Sequence, residues 1–302
     1  MTALETDLGP VRLQTPLIAA SGTVGSVVDF ARVIDFSVYG AAVAKSVSPE
    51  PWAGKAAPRL APAGRGMLNG IGIQNPGIAA WSQEFGPRIS DIATQVWGST
   101  VAEDPGGFAD VADGLTSAGV AAVEVNLSCP NLGGKLFALD PQASAKVVNE
   151  VRSATGLPIG AKLSPNAGDI VAVAAAVAEA GADWVVLTNT VWGAGIDVKT
   201  RRPKLSGVVG GYSGAGLKPI AMRCVWEVAH ALPGFPIVGC GGVTSGSDAI
   251  EYLLAGASAV AVGTEHFATP RVGRRIVAEI ERFIEAEGVA SVGELVGGAI
   301  EW

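Results

Sequence analysis

Short apolar runs recur along the whole chain, separated by longer Ala-rich stretches. The runs are 16-PLIAAS-21, 40-GAAVAKS-46, 94-TQVWGS-99, 121-AAVEVN-126, 158-PIGAKLS-164, 184-WVVLTN-189, 236-PIVGCGG-242 and 258-SAVAVGT-264. Each has strand length and is nearly continuous in its apolar character, the pattern of a strand buried on both faces. Between most of them lie segments of helical length, such as 141-PQASAKVVNEVRSATG-156, 168-GDIVAVAAAVAEAG-181 and 247-SDAIEYLLAGA-257. Several of these stop at a glycine, which ends helices readily. Eight strands with helical crossovers predict an α/β chain folded as one (β/α)8 TIM barrel over residues 1–302. An open doubly wound sheet would show fewer strands and one dominant glycine-rich turn.

Two connections exceed ordinary loop length, 47–77 and 191–216, and long loops in compact domains are more often lids than linkers. Both are expected over the C-terminal mouth of the barrel. The segment 7-DLGPVRLQ-14 reads as a small hairpin around Gly9-Pro10, plugging or edging the barrel floor.

Barrel chemistry belongs at strand C-termini. The apolar runs end in Ser21 and Gly22, Lys45 and Ser46, Ser99, Asn126 followed by Cys129, Lys162, Asn189, Gly241 and Gly242, and Gly263 with Thr264. Packing alone does not explain polar or glycine residues at the same end of every strand, so a furnished mouth is expected.

Composition narrows the class. The 302 residues are 49% hydrophobic and 16% charged, with 41 glycines, which describes a folded chain with many tight turns and excludes disorder. A net charge of −7 argues against a nucleic-acid or anionic-membrane partner, each of which needs a clustered basic face. The N-terminus, MTALETDLGP, carries acids where a signal peptide would be basic and apolar, and no apolar run is long enough to span a bilayer. A cytoplasmic location is therefore expected. Cys129, Cys224 and Cys240 form no CxxC pair and the histidines are His230 and His266, so no protein-built metal site is expected.

Four groups of residues carry candidate chemistry. The turns 239-GCGGV-243 and 262-VGTEHF-267 follow strands seven and eight, where barrels commonly hold a phosphate, and Thr264 adds a hydroxyl donor. Lys45 and Lys162 stand among apolar residues, where an ammonium needs an anion, either a structural carboxylate or a flavin and a substrate carboxylate. Asn69, Asn75, Asn126, Asn131 and Asn189 can both donate to and accept from a planar polar ring, although single loop asparagines are usually turn formers. Cys129 sits in a loop just past a strand end, where a thiol able to hand on its proton can serve as a general base. Cys224 and Cys240 read as small core residues, His230 as part of an outer helix, and His266 as close to the phosphate turn without an evident partner.

Taken together, 17-LIAASGTVG-25, 66-GMLNGIGIQNPG-77, 124-EVNLSCPN-131, 161-AKLSPN-166, 187-LTNT-190, 210-GGYSGAGLKP-219, 239-GCGGV-243 and 261-AVGTE-265 resemble the dihydroorotate dehydrogenases. These are FMN-dependent barrels of pyrimidine biosynthesis, and the resemblance spans the chain. It implies that Cys129 takes the C5 proton of dihydroorotate while the C6 hydride passes to FMN. It implies an orotate pocket of Lys45, Asn69, Gly70, Ile71, Gly72, Ile73, Asn126, Asn131, Asn189 and Thr190. FMN would meet Ser21, Lys45, Ser46, Ser99, Asn126, Lys162, Thr188, Gly214, Gly241, Gly242, Gly263 and Thr264, although 97-WGST-100 departs from the asparagine-containing pattern expected around Ser99. Cysteine rather than serine at 129 looks like class 1. IGIQNPG, ASGTVG and 132-LGGKLFALDPQ-142 look like class 1B, whose FMN barrels form a homodimeric core within a heterotetramer. There a partner subunit carries FAD and a two-iron two-sulfur cluster, and NAD is the final acceptor. A fumarate-linked class 1A enzyme, a dihydropyrimidine dehydrogenase-like enzyme and a phosphate-binding barrel without redox chemistry are the alternatives.

Overall fold

The computed structural model describes residues 3–127 and 137–300. Its centre is a closed barrel of parallel strands: β1 (Leu17–Ala19), β2 (Ala41–Val43), β3 (Gln95–Thr100), β4 (Ala122–Asn126), β5 (Ile159–Lys162), β6 (Trp184–Leu187), β7 (Ile237–Cys240) and β8 (Ala259–Val262). Neighbours in the ring are neighbours in sequence, and β8 closes on β1 with Val260 beside Leu17. All eight apolar runs are therefore barrel strands.

The strands are apolar throughout because both of their faces are covered. Alternate residues point inward, and Ile18, Val43, Trp97, Trp184, Val186 and Val238 form a cluster inside the ring. Their neighbours Leu17, Ala42, Val96, Val123, Val185 and Val260 pack outward into the main core. Inside, the Trp97 and Trp184 rings lie 5.0 Å apart, centroid to centroid. Gly160 on β5 leaves room for that bulk, since a Cβ there would strike the Trp184 indole.

The helices begin where capping chemistry allows. Asp104, Asp140 and Asp169 accept the N–H of Gly107, Ala143 and Ala172, starting the helices Pro105–Ser117, Pro141–Ala154 and Ile170–Glu179. Among the described residues no helix is long and apolar enough to cross a membrane.

The N-terminal hairpin is as expected. Thr6–Leu8 pairs antiparallel with Val11–Leu13 across the turn at Gly9 and Pro10, where Gly9 has φ +58°. Leu8 and Leu13 are fully buried and join the cluster inside the barrel, so the hairpin is a plug.

The two long connections are more ordered than loops. Leu60–Ala63 and Gly66–Asn69 from the first, with Val191–Ala194 and Val209–Gly214 from the second, make one four-stranded antiparallel sheet. Glycines that read as turn formers instead let strands approach closely: a Cβ on Gly66 would strike the Ser213 carbonyl, and one on Gly210 the Asn69 carbonyl.

The plug is testable by stability. Leu8→Ala, which empties a fully buried position, is expected to cost about 2–5 kcal/mol in urea denaturation, whereas Asp7→Ala on the exposed face of the same strand should stay within about 0.5 kcal/mol. Equal effects would mean that the hairpin does not pack into the barrel.

Candidate active site

A cavity of about 950 Å³ opens at the C-terminal ends of the barrel strands beneath the four-stranded sheet, a volume in the range of small-molecule sites. From the barrel, Ser21, Lys45, Ser46, Asn126, Lys162, Thr188, Asn189 and Thr190 line it, with Gly241, Gly242, Gly263 and Thr264. The sheet and its loops add Asn69, Ile71, Gly72, Ile73 and Gly214. Two predicted positions are not on its wall. Gly70 is buried under Leu205, and Ser99 is fully buried behind Ser46, the two hydroxyls 2.9 Å apart. Cys129 and Asn131 lie outside the described residues.

The amides form a connected set. Asn126 Nδ2 donates to Ser46 Oγ at 3.0 Å, and Asn189 Nδ2 donates to Asn126 Oδ1 at 3.1 Å. The Thr190 N–H donates to Asn189 Oδ1 at 2.8 Å, which fixes that amide's orientation. Asn69 reaches down from the sheet, its Nδ2 donating to the Gly211 carbonyl at 3.2 Å. Asn75 has a different job. Its Oδ1 accepts from the Ser48 and Gly77 N–H groups, and its Nδ2 donates to the Ile73 carbonyl at 2.8 Å. That clamp steadies Ile73, a β-branched residue held at φ +58°.

Below the amides lies a buried ion pair that sequence reasoning half anticipated. Lys162 Nζ is 3.8 Å from Glu124 Oε1, with both side chains buried. Glu124 was missed, although the alternation of β4 places it inside with Ala122 and Asn126. Burial raises the Glu124 carboxyl above the usual carboxylate range, against the pull of Lys162. Burial also works against the Lys162 ammonium, but Glu124 and then Cys240 outweigh it and hold its pKa up. Cys240 lines this same cavity, so it is a wall residue as well as a core one.

The other end of the cavity is built of glycine. Gly214, Gly241 and Gly242 have φ of +97°, +150° and +68°, which L side chains rarely adopt. A Cβ on Gly242 would lie 2.8 Å from the Lys218 nitrogen. The turn is braced from outside: Tyr252 Oη donates to the Gly241 carbonyl at 2.7 Å, and Lys218 Nζ is 2.6 Å from Asp248. Burial alone would raise Asp248, but Lys218 and hydrogen bonds from Thr244 and Ser245 bring it down to about 2. Gly263 differs, since its φ is ordinary and a Cβ would meet nothing nearer than 3.7 Å. Thr188 Oγ1, buried in the wall, has no hydrogen-bond partner among the described residues.

His266 does have partners, contrary to the sequence expectation. Thr23 Oγ1 donates to the Ala20 carbonyl at 2.9 Å, so it accepts from His266 Nδ1 at 3.1 Å. The Tyr39 hydroxyl then donates to Nε2 at 2.9 Å. This neutral tautomer fits a histidine that burial pushes down to about 4. His230, on the outer helix Lys218–Ala231, stacks on Trp226.

Comparison with known proteins agrees with this architecture. A family model described as dihydroorotate dehydrogenase matches residues 3–284, and the chain belongs to that family. It is similar to the dihydroorotate dehydrogenase B (NAD(+)), catalytic subunit, of Geobacter sulfurreducens, 44% identical over 301 residues and 97% of each chain. The protein of the same name from Geotalea uraniireducens is 42% identical over 303 residues, covering 98% of each. The fold is similar to that of a DHODH from Eimeria tenella solved in complex with ferulenol, with a TM-score of 0.85 at 20% identity over 98% of this chain and 88% of that one.

The ion pair makes a pH-dependent prediction. Lys162→Met strands Glu124 as a buried carboxyl and is expected to cost about 3–5 kcal/mol at pH 8. Because the folded-state pKa of Glu124 is raised, the ionisation penalty is absent below its unfolded pKa and grows as pH rises toward the folded one. Urea denaturation of the variant should therefore show a smaller deficit from wild type at pH 5 than at pH 8. Adding Glu124→Gln should remove that pH dependence, and a deficit that is flat with pH would refute the pairing.

Proposed function

We propose that this chain oxidises dihydroorotate to orotate with FMN at the described cavity, as the catalytic subunit of an NAD-linked dihydroorotate dehydrogenase of pyrimidine biosynthesis. The carrying observation is one cavity with two chemically distinct ends: the Asn126–Asn189 amide pair above the Lys162–Glu124 pair, and the glycine turns after β7 and β8. The relatives' name supports the NAD-linked assignment.

The residues fit FMN. Gly263 leaves space at the strand-eight turn that an anion can fill, and Thr188 presents a buried hydroxyl without a hydrogen-bond partner among the described residues. FMN, when bound, supplies the acceptor for two electrons from the substrate. Gly214, Gly241, Gly242, Gly263 and Thr264 hold its phosphate end, and Ser21, Lys45, Ser46, Asn126, Lys162 and Thr188 hold the rest. Ser99 acts through its hydrogen bond to Ser46 rather than by contact.

The substrate is a planar ring with carbonyl, N–H and carboxylate groups. Asn69, Asn126 and Asn189 can match the ring amides, because each offers both donor and acceptor. Thr190 fixes the Asn189 amide, and the segment 70–73 forms the side wall, with Gly70 behind it. Lys45 answers the carboxylate. Asn131 completes the ring contacts, and Cys129 takes the C5 proton. Aligning that base and the amides around one ring is where the geometry lowers the barrier.

Electrons leave through a partner subunit carrying FAD and a two-iron two-sulfur cluster. This chain has three cysteines, fewer than the four thiolates such a cluster uses. The working assembly is a cytoplasmic heterotetramer around a homodimer of this chain.

Two measurements test the proposal. Anaerobic mixing with dihydroorotate should bleach the flavin in the wild type, and Cys129→Ser should slow this by about 10²–10⁴-fold at neutral pH, recovering as pH rises. An unchanged rate would remove Cys129 from the mechanism. NAD reduction should require a co-purifying iron-sulfur partner, and NAD reduction by the isolated chain would refute that part.

A further inference from the structure

We infer that Arg65 is an anion clamp over the glycine end of the cavity, where it takes the flavin phosphate; this rests on the FMN reading above. The strand Gly66–Asn69 crosses the mouth, with Gly66 paired to Gly214 at one end and Asn69 paired to Gly211 at the other. Three extended steps span about 10 Å, so the two ends of this strand lie over different parts of the cavity. Asn69 serves the amide end. Arg65, one residue before Gly66 in the two-residue turn that joins it to Ala63, lies at the glycine end.

Close contacts fix that placement. A Cβ on Gly214 would lie 2.7 Å from Gly66 Cα and 3.2 Å from the Arg65 carbonyl, and one on Gly242 would lie 3.0 Å from the Gly214 carbonyl. Arg65, Gly214 and Gly242 are thus successive neighbours leading from the roof to the β7 turn. Arg65 itself lines the cavity and is exposed, and its guanidinium makes no ion pair or hydrogen bond among the described residues.

The charges around it favour an anion. Two carboxylates line the cavity among the described residues, Glu124 and Glu265. Glu124 is engaged with Lys162. Glu265 accepts from Thr269 Oγ1 at 3.0 Å and lies 4.0 Å from Arg275. Neither is matched to Arg65. A planar guanidinium with several donors suits phosphate oxygens, and the turn sets Arg65 beside Gly214, which in turn abuts Gly242, in the wall of one cavity.

Riboflavin, which has the ring and ribityl chain but lacks the phosphate, separates the possibilities. The full chain, freed of bound flavin, is titrated with FMN and with riboflavin by fluorescence at low and high salt. Arg65→Ala should weaken FMN binding about tenfold, leave riboflavin binding unchanged and flatten the salt dependence of FMN binding. Arg65→Lys should recover part of the loss. Unchanged FMN affinity, or equal loss for both flavins, overturns the clamp while leaving the FMN reading intact. Wild-type protein that binds neither flavin removes the FMN reading, and the clamp with it.

Discussion

Closure of the barrel is the constraint on which every other feature depends. Because β8 pairs with β1, no strand edge is left, all eight strands share one register, and their C-terminal residues meet at one mouth. That register sets Asn126 beside Lys162 across β4 and β5, and Glu124 beside Ser99 across β3 and β4. A slip of one residue would send Glu124, Asn126 and Lys162 outward among the helices and bring valines into the cavity. The apolar alternation that fills the ring therefore also aims the chemistry.

The Glu124–Lys162 pair shows what such aiming costs. Two charges are taken out of water at a separation of 3.8 Å, too long for a strong hydrogen bond, so their attraction is a poor return for desolvation. A buried pair of apolar side chains would pack there at least as stably. Retaining the pair keeps a cation fixed under the amides, on rigid strands rather than on a loop. Around it the polar groups are linked rather than scattered, from Ser99 through Ser46 and Asn126 to Asn189. Few of these side chains can rotate alone.

Much of this was legible in the sequence, for reasons particular to each element. The eight strands announced themselves because two-sided burial leaves no polar alternation to confuse, and the hairpin plug because Gly9-Pro10 separates two short alternating runs. The barrel rule then located the mouth, and most predicted site residues do line one cavity. The roof was not legible: pairing Gly66–Asn69 with Val209–Gly214 joins segments from two separate long connections, and the glycines that permit it look like turn residues. Glu124 was hidden inside an apolar run, where only the facing of alternate residues reveals an inward carboxylate. Asn75 looked like a ligand group because sequence cannot distinguish an amide that meets a substrate from one that clamps its own loop. His266 was the reverse case, since its partners Thr23 and Tyr39 are more than two hundred residues away.

The overall charge makes the local arrangement more demanding. With a net charge of −7, the molecule as a whole does not attract anions, yet both proposed ligands are anionic. Screening confines that repulsion: beyond about 8 Å at physiological salt, surface carboxylates contribute little inside the cavity. What an entering anion meets is therefore the lining itself, where Lys45, Arg65 and Lys162 stand against Glu124 and Glu265. Of those carboxylates, one is held by an internal lysine and the other is turned toward Thr269 and Arg275. Among the described residues the lining thus carries one more cation than carboxylate, within an acidic protein. Its specificity is written in the placement of a few side chains on barrel strands and on one strand of the roof.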